Sequence, residues 1–127
     1  MRYLKGVILV LIATVLCSCS LPLNIQISNI AKIPITIFFD KKTLVVEPNR
    51  SLTIKEIDYK KIQIKINDTL HNYDFSDADI DYDVTVIEGV FKKTLNLYAQ
   101  IDSTGTIWAI DPKGGNRHGV IIKPSGS

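Results

Sequence analysis

The chain has 127 residues, of which 46% are hydrophobic and 22% are charged, and it contains two cysteines. This length supports one domain, because a domain of about 110 residues already buries roughly two thirds of the surface of its unfolded chain. The formal net charge is only +2, so nothing in the composition suggests the strongly basic surface that nucleic-acid binding requires.

The first twenty residues have the pattern of an export signal. Arg2 and Lys5 precede an uncharged run over residues 6–16, and small residues and the two cysteines follow it. An apolar run of about 10 residues is too short to cross a hydrocarbon core of roughly 30 Å, so the segment is typical of a secretory signal peptide. We therefore expect residues 1–18 to be removed.

The tetrapeptide "LCSC" at residues 16–19 resembles the lipobox of bacterial lipoproteins. In that family an aliphatic residue stands three positions before the modified cysteine and a small residue directly before it. Leu16 and Ser18 meet both conditions for Cys19, whereas Cys17 meets neither. The resemblance implies that Cys19 becomes the new N-terminus, carries thioether-linked diacylglycerol and is N-acylated, for example with palmitate. Two or three acyl chains attach a protein to a membrane durably.

The same resemblance implies a location. Ser20 follows the cysteine where an aspartate would commonly retain such a protein in the inner membrane. We expect the periplasmic side of the outer membrane, or the outer face of the membrane if the cell has only one. Cleavage before Cys19 removes 18 residues and leaves 109, with 13 cations and 13 acids. No cysteine pair remains for a disulfide, so the mature domain relies on its core.

After the signal, apolar and polar residues alternate, with turn residues about every 8 to 12 positions. This pattern predicts an all-β domain over residues 24–123. We expect a small antiparallel β-sandwich, immunoglobulin-like or transthyretin-like, with about seven to nine strands and almost no helix. Residues 19–23 are predicted to be the lipidated cysteine and a short spacer, and residues 124–127 a flexible tail.

Three segments set the predicted inward faces of the first half. The segments "LNIQIS" and "KKIQIKI" place leucine or isoleucine at every second position. In "IPITIFF", Pro34 has no backbone donor, so this strand lies at an edge or begins there. Asn67 and Asp68 both tolerate positive φ and predict a two-residue turn. That turn pairs Lys61 with Asp74 and places His71 at the edge of the core.

The segment "SDADIDYDVTVIEG" raises the question of a metal site. It has acids at alternate positions and a later glutamate, namely Asp77, Asp79, Asp81, Asp83 and Glu88. The EF-hand is excluded, because Tyr82 replaces the required glycine and the flanks are not helical. The intervening Ile80, Tyr82, Val84 and Val86 favour a half-buried strand with an acidic wet face. A calcium site in a loop or at a sheet edge, and an acidic patch for a basic partner, stay open.

The segment "LNLYAQIDSTGTIWAI" predicts a hairpin with a three-residue loop over residues 103–105, because its glycine stands at the left-handed position. In this register Tyr98, Trp108 and Ile110 share the face opposite the core. A four-residue loop would instead put Trp108 in the core. In the first register the three residues are a candidate partner patch, since tyrosine and tryptophan are favoured interface anchors.

The remaining residues offer little for catalysis. His71 and His118 lack the cysteines or spaced carboxylates of a zinc motif, and the glycine pair at residues 114–115 lacks the context of a phosphate loop. His118 is predicted to be solvated in a flexible segment before a last strand at residues 120–123. We therefore expect no enzyme and no cofactor apart from the lipid on Cys19, with calcium only as the alternative given above.

The sequence favours a non-enzymatic binding or accessory module of an envelope complex, attached to the membrane by its lipid and in contact with another envelope protein. Accessory lipoproteins of secretion systems have sandwiches of similar size, but no motif is shared with them. One alternative is an inhibitor or immunity lipoprotein that inserts residues 112–119 into the site of a hydrolase or toxin. The other is a weak calcium-dependent adhesin.

Overall fold

The computed structural model describes residues 21–113 and 115–125. This part of the chain contains ten strands, two short 3₁₀ turns and no α-helix. The strands are β1 (Leu23–Asn29), β2 (Ile35–Phe39), β3 (Lys42–Val46), β4 (Ser51–Ile54), β5 (Lys61–Ile66), β6 (Thr69–Asp74), β7 (Thr85–Glu88), β8 (Thr94–Ile101), β9 (Ile107–Ile110) and β10 (Arg117–Ile122). The predicted all-β class is confirmed, with more strands than expected. Within these residues, no helix has the length and hydropathy that crossing a membrane would need.

The strands form two sheets whose inward faces share one core. The larger sheet has the order β10-β9-β8-β1-β4, and β7 also pairs with β8, while the smaller has the order β3-β2-β5-β6. Strands β1 and β8 run parallel, with Leu23 opposite Leu95 and Asn29 opposite Ile101. The larger sheet is therefore mixed, because β4 pairs with β1 in the antiparallel sense on one side and β8 pairs with it in the parallel sense on the other.

The core consists of alternate residues from the long strands. Leu23, Ile25 and Ile27 of β1 are at most 1% exposed, and Ile62, Ile64 and Ile66 of β5 are at most 2% exposed. Burying a side chain of this size contributes about 1.5–3 kcal/mol. The predicted inward faces of both strands are confirmed. Strand β2 begins directly after Pro34 and lies inside its sheet, so the proline marks a strand start and not an edge.

The β5–β6 hairpin has the predicted turn and register. Asn67 and Asp68 have φ values of 48° and 66°, which are the left-handed values of a two-residue turn. Lys61 pairs with Asp74 as expected. His71 lies opposite an inward isoleucine and is half-buried at the core edge, as its predicted packing role requires.

Asn29 connects the two sheets from within the core. Its side chain is 0% exposed, although it follows three apolar residues at alternate positions of β1. The amide nitrogen donates to the carbonyls of Ile33 and Val46 at 2.9 Å each, and the amide oxygen accepts from the backbone N–H of Ala31 at 2.9 Å. The last residue of β1 thereby holds the end of β3 and the approach to β2.

Tyr73 makes a second connection between the sheets. It lies in β6 at 1% exposure, and its hydroxyl donates to the carbonyl of Gly105 in the β8–β9 loop at 2.6 Å. Burial, and the nearby negative charge of Asp102, raise the pKa of Tyr73 far above its ordinary value.

This buried phenol predicts an alkaline loss of stability. Unfolded tyrosine titrates near pH 10, whereas native Tyr73 keeps its proton to higher pH. Above about pH 10 the unfolded state therefore binds fewer protons than the native state, and the free energy of unfolding falls as the pH rises. We expect Tyr73→Phe to have a smaller alkaline loss than the wild type in urea unfolding at neutral and alkaline pH. An equal loss in both proteins would contradict this assignment.

The acid-rich segment is not the continuous strand that its alternation predicts. It forms 3₁₀ turns at Phe75–Asp77 and Tyr82–Val84, and only its end is the short strand β7. Asp74 caps the first turn, because its carboxylate accepts from the backbone N–H and the hydroxyl of Ser76 at 3.1 and 2.6 Å. Aspartate competes with strand ladders in this way.

The predicted inward residues of this segment divide accordingly. Val84 is 9% exposed and Ile80 packs partly against the core, but Tyr82 is 63% exposed. Val86 pairs with Asn96 on the outward face of the larger sheet. The prediction is therefore wrong for Tyr82 and Val86, since the 3₁₀ turn shifts the alternation before β7 begins.

The ends of the described chain extend the predicted domain slightly. Strand β1 begins at Leu23, inside the predicted spacer. Ser125, in the predicted tail, bridges to Asn72, and its N–H donates to the Asn72 carbonyl at 2.8 Å. The predicted signal peptide, Cys19 and residues 126–127 lie outside the described residues.

Candidate functional site

The β8–β9 hairpin determines which way Trp108 faces. Ile101 pairs with Ile107 in the core, and Gln100 pairs with Trp108 on the outward face. Gly105 has a φ of 85° and ends a loop of the predicted three-residue type. The four-residue alternative, which put Trp108 in the core, is wrong.

The outward face of the larger sheet brings the predicted patch residues together with two others. Tyr98, Trp108 and Ile110 are all half-buried there. Gln100 lies on β8 between Tyr98 and the hairpin loop. The guanidinium of Arg117, in β10, lies over the ring of Trp108. We call these five residues the Trp108 patch.

Asp102 fixes the hairpin and the indole together. One carboxylate oxygen accepts from the N–H of Thr104 at 2.9 Å and of Thr106 at 3.2 Å. The other accepts from Nε1 of Trp108 at 2.9 Å. Partial burial raises the pKa of Asp102, but the hydrogen bonds from Thr104, Trp108 and Thr106 outweigh it, so the pKa lies below its ordinary value. This role of Asp102 was not predicted, although an aspartate directly before a turn is a common signal for such bonds.

Arg117 covers one face of the indole. Its guanidinium carbon lies 4.6 Å from the centre of the Trp108 ring, which is a cation–π distance. Its Nε lies 3.5 Å from the side-chain oxygen of Gln100. The strand that carries Arg117 begins earlier than the predicted residue 120, so Arg117 lies in a strand and not in the predicted loop. Only the pairing of β10 with β9 reveals the contact.

Tyr98 connects the patch to β7. Its hydroxyl donates to a carboxylate oxygen of Glu88 at 2.6 Å. This hydrogen bond, together with slight burial and the carboxylate charge, raises the pKa of Tyr98. The phenol and the Glu88 carboxylate therefore hold each other in place at the edge of the patch.

Of the five acids considered for calcium, two have side-chain partners elsewhere in the described part of the chain. Asp81 lies against His118 and Glu88 accepts from Tyr98, whereas Asp77 belongs to the first 3₁₀ turn. Among the residues whose side chains are described, no three histidine, cysteine, aspartate or glutamate side chains are grouped as metal ligands. The side chain of Asp83 lies outside that description. Asp79 is held through its backbone, since its N–H donates to the carbonyl of Ile121 at 2.8 Å.

His118 is exposed, as predicted, but it has a defined partner and does not lie in a flexible segment. It lies in β10, and its Nε2 is 2.6 Å from a carboxylate oxygen of Asp81. Both side chains are 45% exposed, in a shallow hollow that also includes Ile80 and Val120. No serine or cysteine lines this hollow in the described chain, so the pair lacks the nucleophile that a triad needs.

A broader open depression crosses the outward face of the smaller sheet. Phe38, Gln63 and Asn72 lie along it, with Lys61 and Asp74 at one side. Phe38 is half-buried there, as Trp108 is on the other sheet. Phe38 is therefore a suitable control position for substitutions in the Trp108 patch, because it is a half-buried aromatic residue on the opposite sheet.

Comparison with protein-family models, curated proteins and solved structures found no match to this chain.

Proposed function

We propose that this chain is a lipid-anchored envelope protein that binds another envelope protein through the Trp108 patch, without catalysis of its own. The observation that carries the proposal is the fixed, half-exposed indole of Trp108, held by Asp102 at its edge and by Arg117 on its face. Tryptophan, tyrosine and arginine are the residues that most often dominate binding energy at interfaces.

Preorganisation supports a binding role. An interface must immobilise flexible side chains at a cost of about 0.5–1.5 kcal/mol for each. The indole, the Tyr98 phenol and the Arg117 guanidinium already have partners in this chain, so that cost is reduced before a partner arrives. The surrounding amides, such as Gln100 and Gln26, provide neutral donors and acceptors around the aromatic centre.

The anchor forms the other half of the proposal and depends on the lipobox resemblance. Lipid on Cys19 would hold the domain on the periplasmic side of an outer membrane, or on the outer face of a single membrane. Leu23 is the first residue of β1, only four residues after Cys19. Four residues reach at most about 14 Å, so the domain would lie close to the bilayer.

The inhibitor alternative has one favourable observation. Asp111 holds the loop that follows β9, since its carboxylate accepts from the N–H of Lys113 at 2.9 Å and its carbonyl from the N–H of Gly115 at 2.8 Å. A held, exposed loop suits insertion into an enzyme site. The loop is shorter than the predicted residues 112–119, because β10 already begins at Arg117.

The anchor predicts different results for the two neighbouring cysteines. Cys19→Ala should abolish lipid attachment. The purified protein should then lack the mass of the acyl chains, and it should not be cleaved before residue 19. Cys17→Ala is the matched control, because Cys17 leaves with the signal peptide, and it should not change the mass of the mature protein. Intact-mass spectrometry of membrane extracts checks both. Lipid on the Cys19→Ala protein would contradict the anchor.

The patch predicts selective loss of a partner. Full-length protein with a C-terminal tag, extracted in mild detergent, should retain an envelope protein that Trp108→Ala and Ile110→Lys both lose. Phe38→Ala, on the outward face of the smaller sheet, should retain it. Each variant must keep the wild-type melting midpoint, which separates loss of binding from loss of folding. A partner lost equally with all three variants, or with Phe38→Ala alone, would contradict the patch.

The identity of the captured protein separates the two functions. A component of a structural envelope complex supports the accessory module. A single hydrolase or toxin, released by changes in the 112–116 loop and not by Trp108→Ala, supports the inhibitor.

A further inference from the structure

The turn between β7 and β8 exposes apolar side chains beside two lysines. Val90 and Phe91 are almost fully exposed, and Ile87 near the end of β7 is more than half exposed. Lys92 and Lys93 follow directly and are also exposed. We call residues 89–93 the β7–β8 tip. The sequence pattern does not mark this turn, because the alternation of β8 begins only after it.

Gly89 determines the shape of this tip. Its φ is 115°, and a Cβ at this position would lie 2.1 Å from the carbonyl oxygen of Lys92. Only glycine permits that approach. The tight turn leaves Val90 and Phe91 no neighbours to pack against, so their exposure follows from the local backbone.

The tip lies at the end of the sheet where the chain enters from Cys19. Strands β1 and β8 are parallel neighbours, Leu23 is opposite Leu95, and the N–H of Leu95 donates to the carbonyl of Pro22 at 2.9 Å. Neighbouring strands are about 4.8 Å apart. The segment from Cys19 and the tip therefore meet the sheet side by side, and both Cys19 and Phe91 stand four residues before a paired leucine.

A second exposed aromatic shares this end. The N–H of Ile57 donates to the carbonyl of Leu23 at 2.8 Å, which places the β4–β5 loop beside the start of β1. Tyr59 in that loop is 81% exposed. Tyrosine is enriched at the interface between membrane and water, where its ring is apolar and its hydroxyl is wet.

The charges at the tip suit an anionic surface. Neither Lys92 nor Lys93 forms an ion pair within the described part of the chain. The carboxylate nearest in sequence, Glu88, accepts a hydrogen bond from the Tyr98 hydroxyl at 2.6 Å. Lysines near an anionic leaflet each contribute about 1 kcal/mol of attraction.

We infer that the β7–β8 tip docks on the phospholipid bilayer that holds the Cys19 lipid, with Val90 and Phe91 at the acyl boundary and Lys92 and Lys93 at anionic headgroups. This inference depends on the lipid anchor of the proposed function and adds an orientation to it. A single flexible anchor leaves a domain free to tumble, whereas a second contact fixes one end of the sheet on the membrane. The Trp108 patch then faces sideways, along the bilayer.

The test uses the full lipidated protein in vesicles of phosphatidylethanolamine and phosphatidylglycerol that contain brominated acyl chains. Trp108→Phe removes the native indole, and Phe91→Trp adds one at the tip. We expect the brominated lipid to quench most of the fluorescence of the indole at position 91. The emission maximum of that indole should also lie at a shorter wavelength than in the same protein without vesicles and without detergent. Val45→Trp in the same background is the matched control. Val45 is 60% exposed on β3 of the smaller sheet, and its indole should stay unquenched.

Lysine replacement separates the two contributions. Replacing Lys92 and Lys93 with glutamine should lower the ratio of docked to undocked protein by about fivefold for each lysine in anionic vesicles. The same replacements should have no such effect in neutral phosphatidylcholine vesicles. Because the side chains of Lys92 and Lys93 are exposed, the two glutamine replacements should not change the melting midpoint.

The outcomes distinguish the inference from the anchor. If the protein does not float with the vesicles, the anchor fails and the inference fails with it. If it floats but the indole at position 91 is as unquenched as the one at position 45, the anchor stands and docking is overturned. The exposed tip would then be a protein-binding surface.

Discussion

Asn29→Ala is expected to lower the free energy of unfolding by about 3–5 kcal/mol, because it removes three hydrogen bonds to backbone groups at the core edge. The carbonyls of Ile33 and Val46 lose the amide donor of Asn29, and the N–H of Ala31 loses its side-chain acceptor. Each such group costs about 1–3 kcal/mol when it is buried and unsatisfied. Urea unfolding followed by circular dichroism measures the loss.

Asn96→Ala is the matched control for that change. Asn96 lies on the outward face of the same sheet, is half-exposed and accepts a single hydrogen bond from Asn24 at 3.2 Å. Its loss should cost about 1 kcal/mol or less. If Asn29→Ala costs no more than Asn96→Ala, the connection between the sheets through Asn29 is not a determinant of stability.

Gly105→Ala is expected to lower the free energy of unfolding by about 2–4 kcal/mol, through two separate effects. The left-handed φ of 85° strains any residue that has a Cβ, at about 1–2 kcal/mol. The added Cβ would also lie 2.8 Å from the Tyr73 hydroxyl oxygen and 3.0 Å from Pro124. Moving the phenol aside breaks its hydrogen bond to the Gly105 carbonyl.

Gly119→Ala is the control for this second change. A Cβ at Gly119 in β10 meets no atom within 4 Å, so we expect a change within about 0.5 kcal/mol. Combining Gly105→Ala with Tyr73→Phe should cost less than the sum of the two, since both remove the same hydrogen bond. Full additivity would show that the Tyr73 contact survives in Gly105→Ala.

The local elements of the fold followed from the sequence, whereas the long-range pairing did not. Period-two alternation gave the inward faces of β1 and β5, and Asn67 with Asp68 gave the β5–β6 register, because both signals act within a few residues. The parallel pairing of β1 with β8 joins residues 72 positions apart. No turn specifies it, so the sequence pattern contains no local signal for it.

The acid-rich segment shows how a good local pattern can mislead. Its alternation predicted a strand, but Asp74 bonds to Ser76 and starts a 3₁₀ turn instead. Capping aspartates and strand aspartates look alike in a hydropathy pattern.

Asn29 is a residue whose role the sequence pattern does indicate. It stands at an inward position after Leu23, Ile25 and Ile27, and a polar residue there already signals a buried hydrogen-bonding role.

The candidate site was predicted in part. The predicted three-residue loop over residues 103–105 was sufficient to predict that Tyr98, Trp108 and Ile110 share one face. The supports of the indole were not predicted, because Asp102 acts through the loop it begins and Arg117 belongs to a strand whose start was misplaced. Cys19 stays a prediction from the lipobox resemblance.

Site-specific photo-crosslinking in intact cells tests the central claim most directly. A benzoylphenylalanine placed at Tyr98, in the lipidated full-length protein, should form an adduct with one envelope protein, and the same probe at Phe38 should not. Trp108→Ala should abolish the adduct from position 98. An adduct that forms from position 38 and not from position 98 would contradict the claim that the Trp108 patch is the binding surface.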